Sequence, residues 1–318
     1  MPAMSAAPIL SLSTCWCSGR HQDGYAMLRE MADLGFQYAE LSHGIRVSLV
    51  PGILQAVQEG VIKISTTHNF CPLPPSVTSP APNLYQPSSP SPEERALWKR
   101  YTLQSLEFGQ RVNARVLITH LGSEFFFLLD PSRKVEALGE TIDPVARREN
   151  GAFQEEMAKL LAKLRKNAPK HYNRIQDCLA DVTPQAKAAG MKFGCENREG
   201  LIELPLDDDM ELLLSSVDDL GVCGGWHDTG HACIKHLDGV ISHADYLEKN
   251  HARLLGFHLH DVNAEGSDHQ PIGTGLVDWK MIRQYIRPEH ILVIELSPRL
   301  TKEQVLESKA FIEKWLGE

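Results

Sequence analysis

The sequence predicts a (β/α)8 barrel, a TIM barrel, built as one domain over residues 1–318. Three observations predict it. Eight short apolar runs alternate with segments of helical periodicity, the pattern of a parallel sheet with crossover helices. Most of those runs deliver Glu, Asp or His at the C-terminal end, and a barrel gathers all strand C-termini on one face. No GxGxxG follows the first run, and the one Gly-rich stretch, GTG at 273–275, follows the seventh. An open dinucleotide-binding sheet is therefore the weaker alternative.

Taken in order, Ile9–Thr14 is the first strand, ending at Cys15 and Trp16. Asp23–Leu34 carries Tyr25, Met27, Leu28, Met31 and Leu34 at helical spacing, and Gly35 stops it. Phe36–Leu41 alternates as a strand and delivers Glu40, with His43 just beyond. Ile53–Gln58 is a short helix, and Val61–Thr67 a strand that delivers His68. Residues 71–92 are rich in Pro and Ser, which rules out a helix and disfavours a central strand. The alternation resumes in phase after them, so they form a long loop after strand 3 rather than a linker. Pro92–Val112 is a helix capped by Ser91, and Ala114–Thr119 a strand delivering His120.

A second long excursion, about 124–170, is a partly helical insertion after strand 4. It holds the amphipathic helix Phe153–Lys166, broken near Pro169. His171–Gly190 is the next helix, expected to bend at Pro184. Met191–Cys195 delivers Glu196; Val222–Trp226 delivers Asp228; Leu254–Phe257 delivers His258 and His260; Ile291–Ile294 delivers Glu295. The helices between are Asp208–Leu220, Lys235–Asn250 as one piece, and Asp278–Ile286. Thr301–Leu316 closes the chain, with Thr301 as N-cap and Gln304 at the capping-box position.

Composition bounds the function. At 42% hydrophobic and 23% charged residues, the chain is ordinary for a globular protein with a substantial core. A net charge of -9 disfavours nucleic acid as a partner, because phosphates demand a basic face. No run of about 18 apolar residues is present to span a membrane. The seven cysteines are scattered without a repeated CxxC, which suits reduced thiols. The first residues lack a basic stretch followed by a long apolar core, so no signal peptide is expected. These readings give a cytoplasmic protein acting on a small molecule. A homo-oligomer is compatible, with the Pro-rich loop or the insertion shaping the pocket or a subunit contact.

The strand ends that converge are Glu40, His68, His120, Glu196, Asp228, His258 and Glu295, with His231 and His269 on the following loops. One or two polar strand ends are expected of any barrel. Four consecutive strands each ending in a metal-ligand type are better explained by a metal. Glu196, Asp228, His258 and Glu295 make an oxygen-rich set suited to Mn²⁺, Mg²⁺ or Co²⁺, with Zn²⁺ also compatible. His68, His120 and His269 form a nitrogen-richer group that suits a second ion.

The stretches GCENREG, WHDTGHA, GFHLHDVN, DHQPIGTGLVDW and VIELSP resemble the xylose-isomerase-like TIM-barrel superfamily, which includes sugar (phosphate) isomerases and epimerases and is related to endonuclease IV. The resemblance spans nearly the whole chain. It implies four shared metal ligands at Glu196, Asp228, His258 and Glu295, and a substrate-side histidine at His231. His68, His120 and His269 fall where the endonuclease carries extra zinc ligands. Two departures stand out. The Asp of the endonuclease's third zinc falls on Ser267, one position from Asp268, and LHDVNAEGSDHQ lacks the Arg of the ketohexose epimerases.

The resemblance implies a metal-dependent isomerase or epimerase that moves a proton beside a carbonyl through an enediolate, with Glu196 and Glu295 as acid and base. Arg198 and Arg299, just past strand ends, are candidates for a phosphate or carboxylate of the substrate, or for surface ion pairs. Trp16 and Phe70 are candidate apolar walls, or core. The alternatives are a lyase on oxidised sugars or glycosides and an endonuclease IV-like zinc phosphodiesterase. His231 touches substrate in the first reading and a further zinc in the last.

Overall fold

The computed structural model describes residues 7–127 and 129–317. The opening residues, on which the leader expectation rests, and Leu128 of the insertion lie outside the described residues. Eight parallel strands close in sequence order: β1 (Ile9–Ser13), β2 (Tyr38–Leu41), β3 (Lys63–His68), β4 (Val116–Thr119), β5 (Lys192–Glu196), β6 (Cys223–Asp228), β7 (Leu254–Leu259) and β8 (Ile291–Ile294), with β8 pairing back on β1. Each expected strand is present within two residues at either end. Among the described residues no helix is long and apolar enough to cross a membrane.

The helices are α1 (Gly24–Asp33), α2 (Val50–Gln58), α3 (Pro92–Arg111), α4 (Arg133–Gly139), α5 (Gly151–Asn167), α6 (Pro169–Ala189), α7 (Met210–Ser216), α8 (Thr229–Leu237), α9 (His243–Asn250), α10 (Trp279–Arg283) and α11 (Lys302–Gly317). Local chemistry sets their starts. Asp23, Ser91, Asn150, Asp228, Ser242 and Asp278 each accept a backbone N–H of the first turn. At α11 the Thr301 hydroxyl and the Gln304 amide oxygen accept each other's backbone N–H, the expected capping box. Helix α6 runs through Pro184.

Two helix expectations are corrected. The expected helix Asp208–Leu220 is shorter, with α7 ending at Ser216 and 3-10 turns on either side at Asp207–Asp209 and Asp218–Leu220. The segment 235–250 is two helices, α8 and α9, not one. Gly239 adopts φ +77°, which suits glycine and ends α8, and Ser242 caps α9. The carbonyls freed at the break are used by the insertion. Arg148 donates to His236 O and Ile241 O at 2.8 Å, and the Gln154 side chain donates to Asp238 O at 2.9 Å. The insertion is thereby fastened to the barrel beside β6.

Two layers of apolar packing follow from strand alternation. The large one lies between the strands and the surrounding helices. A small one fills the barrel itself: Val116, Ile118, Trp226, Ile291 and Val293. The indole of Trp226 needs room from its neighbours. A Cβ on Gly256 would lie 2.5 Å from the indole and 2.3 Å from Ile291 O. Two residues beyond Trp226, Gly256 and Val293 come Asp228, His258 and Glu295. Period-2 alternation therefore points them inward as well, at the open end of the barrel. Asp228 and His258 are direct register partners across β6 and β7.

Gly256→Ala is expected to destabilise the fold by about 1–3 kcal/mol through overpacking against Trp226. Urea denaturation measures it; an unchanged midpoint would show that the plug is not tightly packed.

Candidate metal centre

Glu196, Asp228, His258 and Glu295 are all buried, and one ligand atom from each lies within 4.8 Å of the others. His258 is the hub. Its Nδ1 is 2.6 Å from Glu196 Oε1, 3.2 Å from Glu295 Oε2 and 3.8 Å from Asp228 Oδ2. Its Nε2 faces the opposite way, 3.1 Å from Glu40 Oε2, and Glu40 accepts the hydroxyls of Ser13 and Thr66 at 2.8 Å. Asp228 is fixed at both oxygens. Oδ1 accepts the His231 N–H at 2.8 Å, capping α8, and Oδ2 is 2.9 Å from His260 Nε2. The second oxygen of Glu196 faces His120 Nε2 at 2.8 Å, Arg198 at 3.2 Å and His68 Nε2 at 3.5 Å.

The proton pattern of the histidines follows from their other ring nitrogens. His68 Nδ1 donates to Asn69 O at 2.9 Å, His231 Nδ1 to Asn197 O at 3.0 Å and His269 Nδ1 to Glu295 O at 3.0 Å. His120 Nδ1 is 2.9 Å from Asn83 Oδ1, and the Asn83 amide is oriented because its Nδ2 donates to Glu203 at 3.1 Å. In all four rings Nδ1 is thus occupied, and Nε2 is the nitrogen left to face the site. Those Nε2 atoms face carboxylates: Glu196 for His68 and His120, and Asp268 Oδ2 for His269 (3.6 Å) and His231 (3.8 Å). Pinning one ring nitrogen is how proteins present the other to a metal, and a nitrogen set opposite a carboxylate is an arrangement that a shared cation can bridge. The donor set therefore fits divalent cations.

The electrostatics agree. Burial lowers the His258 pKa, but Glu295, Glu40 and Glu196 outweigh it and hold the imidazole well above its ordinary value. Burial raises Glu196, yet His258, His120 and His68 around it drive the carboxyl well below the usual range. Asp228 is likewise held low by His231 and His260 against the effect of burial. His120 goes the other way: burial and then Arg198 lower it to about 3, against the pull of Glu196.

The structure brings nine of the ten candidate residues into one connected cluster. The remaining one, Arg299, is exposed and lines a cavity of about 350 Å³ with Cys15, His43, Asp268, His269 and Glu295. Arg198 is partly buried between Glu196 and Glu203, each at 3.2 Å. Trp16 and Phe70 are buried in packing, Trp16 donating to Leu300 O and Phe70 against Tyr85 and Tyr101. Asp268, one position from the family's pattern, nonetheless reaches His231 and His269. Sequence reasoning missed the supporting residues Asn83 and Glu203. Both lie on loops far apart in the chain, and no local motif marks them.

A model of the xylose isomerase-like TIM barrel family matches residues 28–315. The chain belongs to that family. No curated protein matches it by sequence. Solved structures of similar fold include an L-ribulose 3-epimerase (14% identity, 98% of this chain and 95% of that one, TM-score 0.67). A D-tagatose 3-epimerase-like protein (15% identity, 97% of each chain, TM-score 0.66) is similar. So is the 3-keto-D-glucoside 4-epimerase of E. coli (14% identity, 96% of this chain and 99% of that one, TM-score 0.66). At such identities the likeness establishes the barrel fold common to this xylose isomerase-like family.

If Glu295 helps to hold the cation, Glu295→Gln should shrink the rise in Tm on adding Mn²⁺ to chelator-treated protein. Differential scanning calorimetry with and without metal checks this; a rise equal to that of wild type would contradict the reading.

Proposed function

We propose that the protein is a divalent-metal-dependent sugar isomerase or epimerase. The observation that carries this is a pair of carboxylates, Glu196 on β5 and Glu295 past β8, converging on one buried four-ligand group beside an open cavity. A divalent cation held by Glu196, Asp228, His258 and Glu295 would polarise a substrate carbonyl and make the adjacent C–H acidic. Glu196 and Glu295 each have two oxygens, so a carboxylate can hold the centre with one and move a proton with the other. One removes the proton beside the carbonyl and the other returns it, through the enediolate of the substrate. His231, anchored through Nδ1, presents Nε2 from the first turn of α8. His269 presents its own from the cavity wall. The epimerases of similar fold act on sugars by their names, and a cavity of about 350 Å³ has the volume of a small-ligand site.

Glu196→Gln should lower turnover at least about a thousandfold while leaving the fold intact. Wild-type protein should incorporate solvent deuterium beside the carbonyl across a panel of ketoses and oxidised glycosides. Wild-type-like turnover in the variant, or turnover without exchange, would overturn the mechanism. Exchange followed by loss of a leaving group would assign a lyase instead.

A second reading has its own observation. The Nε2 atoms of His68 and His120 beside Glu196, and of His231 and His269 beside Asp268, suit additional ions. Clustered ions would support phosphodiester hydrolysis. Metal analysis of untreated protein separates the two: one Mn²⁺ or Co²⁺ per chain favours the isomerase, and three tightly bound Zn²⁺ favour the hydrolase.

A further inference from the structure

His260 lies among candidate ligands, yet its hydrogen bonds set it apart from them. It is fully buried at the end of β7, two residues after His258. Its ring stacks on His269, centroids 4.2 Å apart, and lies 5.9 Å from His231. Proximity alone groups these three as metal ligands. The backbone N–H of His269, however, donates to His260 Nδ1 at 2.9 Å. A peptide N–H cannot reverse its role, so Nδ1 must be the acceptor and the ring proton must sit on Nε2. The Asp261 carbonyl, at 3.5 Å from the same Nδ1, is too distant to compete. A proton on Nε2 makes that nitrogen a donor, and the atom it meets is Asp228 Oδ2, at 2.9 Å.

We propose that His260 is a positioning residue, a fixed hydrogen-bond donor to Asp228 that aims this carboxylate at the metal, and not a metal ligand. The proposal rests on the four-ligand reading of the centre. Its arrangement is opposite to that of His68, His120, His231 and His269, whose Nδ1 atoms, not Nε2, face the acceptor oxygens that hold the ring. It also ties together three sequence stretches: WHDTGHA supplies Asp228, HLHD supplies His260, and SDHQ supplies the amide that sets the tautomer. The Gly230 of WHDTGHA has a matching reason to be glycine. A Cβ there would lie 2.1 Å from His260 Cε1 and 2.4 Å from Nδ1, so any side chain would displace the ring. The Thr229 hydroxyl completes the fixture, donating to His260 O at 2.9 Å and accepting the His260 N–H at 3.2 Å.

Two isosteric variants separate donor from packing. The Gln side-chain amide reaches the position of Nε2 and donates there; the Asn amide reaches the position of Nδ1. Titrating Mn²⁺ calorimetrically into chelator-treated protein should give His260→Gln an affinity within about threefold of wild type. His260→Asn should bind about 10–100-fold more weakly, the usual effect of losing a partner behind a ligand. Gly230→Ala should weaken binding like His260→Asn, since its Cβ displaces the same ring while the helix itself gains propensity. Far-UV circular dichroism confirms folding in each. Equal loss in His260→Gln and His260→Asn would assign a packing role and overturn the proposal, as would wild-type affinity in all variants. Wild-type protein that binds no Mn²⁺ would overturn the metal reading, and this proposal with it.

Discussion

Four buried carboxylates, those of Glu40, Glu196, Asp228 and Glu295, converge on one imidazole at the mouth of the barrel. Among the described residues, Arg198 is the one permanently charged cation that touches them. Buried charge of one sign costs several kcal/mol per group unless it is balanced. Much of the surrounding structure is arranged around that imbalance. Hydroxyls of Ser13 and Thr66 hold Glu40, a helix N-terminus receives Asp228, and Arg198 is committed inward to Glu196. A divalent cation would supply the missing charge at the point where the oxygens meet.

The scaffold reaches this point by repetition of a simple rule. Inward-facing positions recur every second residue, so the apolar plug around Trp226 and the acidic layer above it belong to the same face of the same strands. The plug fixes strand spacing, and strand spacing fixes ligand separation. The direct pairing of Asp228 with His258 across β6 and β7 is the shortest expression of that link. The long loops then finish what the strands begin. Residues 71–92 send Asn83 to orient His120, and the insertion secures the break between α8 and α9.

The barrel was legible in the sequence because its signals are local. Apolar runs, caps such as Ser91 and Thr301, and stops such as Gly35 act within a few residues. The positions of Glu196, Asp228, His258 and Glu295 at the barrel mouth were legible for the same reason, each sitting at the end of such a run. The division of 235–250 was misjudged because helical periodicity continues across Gly239, and the bonds that stabilise the break come from Arg148 and Gln154, far away in the chain. Counting positions from GTG puts the family's Asp on Ser267, yet the loop carries the neighbouring carboxylate, Asp268, to His231 and His269. The difference between His260 and its neighbouring histidines depends on one backbone amide, at His269, whose direction no residue type reveals.

The most direct test of the account is a crystal structure grown with Mn²⁺ and measured at an energy where that ion scatters anomalously. The account predicts an anomalous peak within bonding distance of Glu196, Asp228, His258 Nδ1 and Glu295, with His258 Nε2 still turned to Glu40. Full Mn²⁺ occupancy elsewhere with no peak among those four side chains would contradict it.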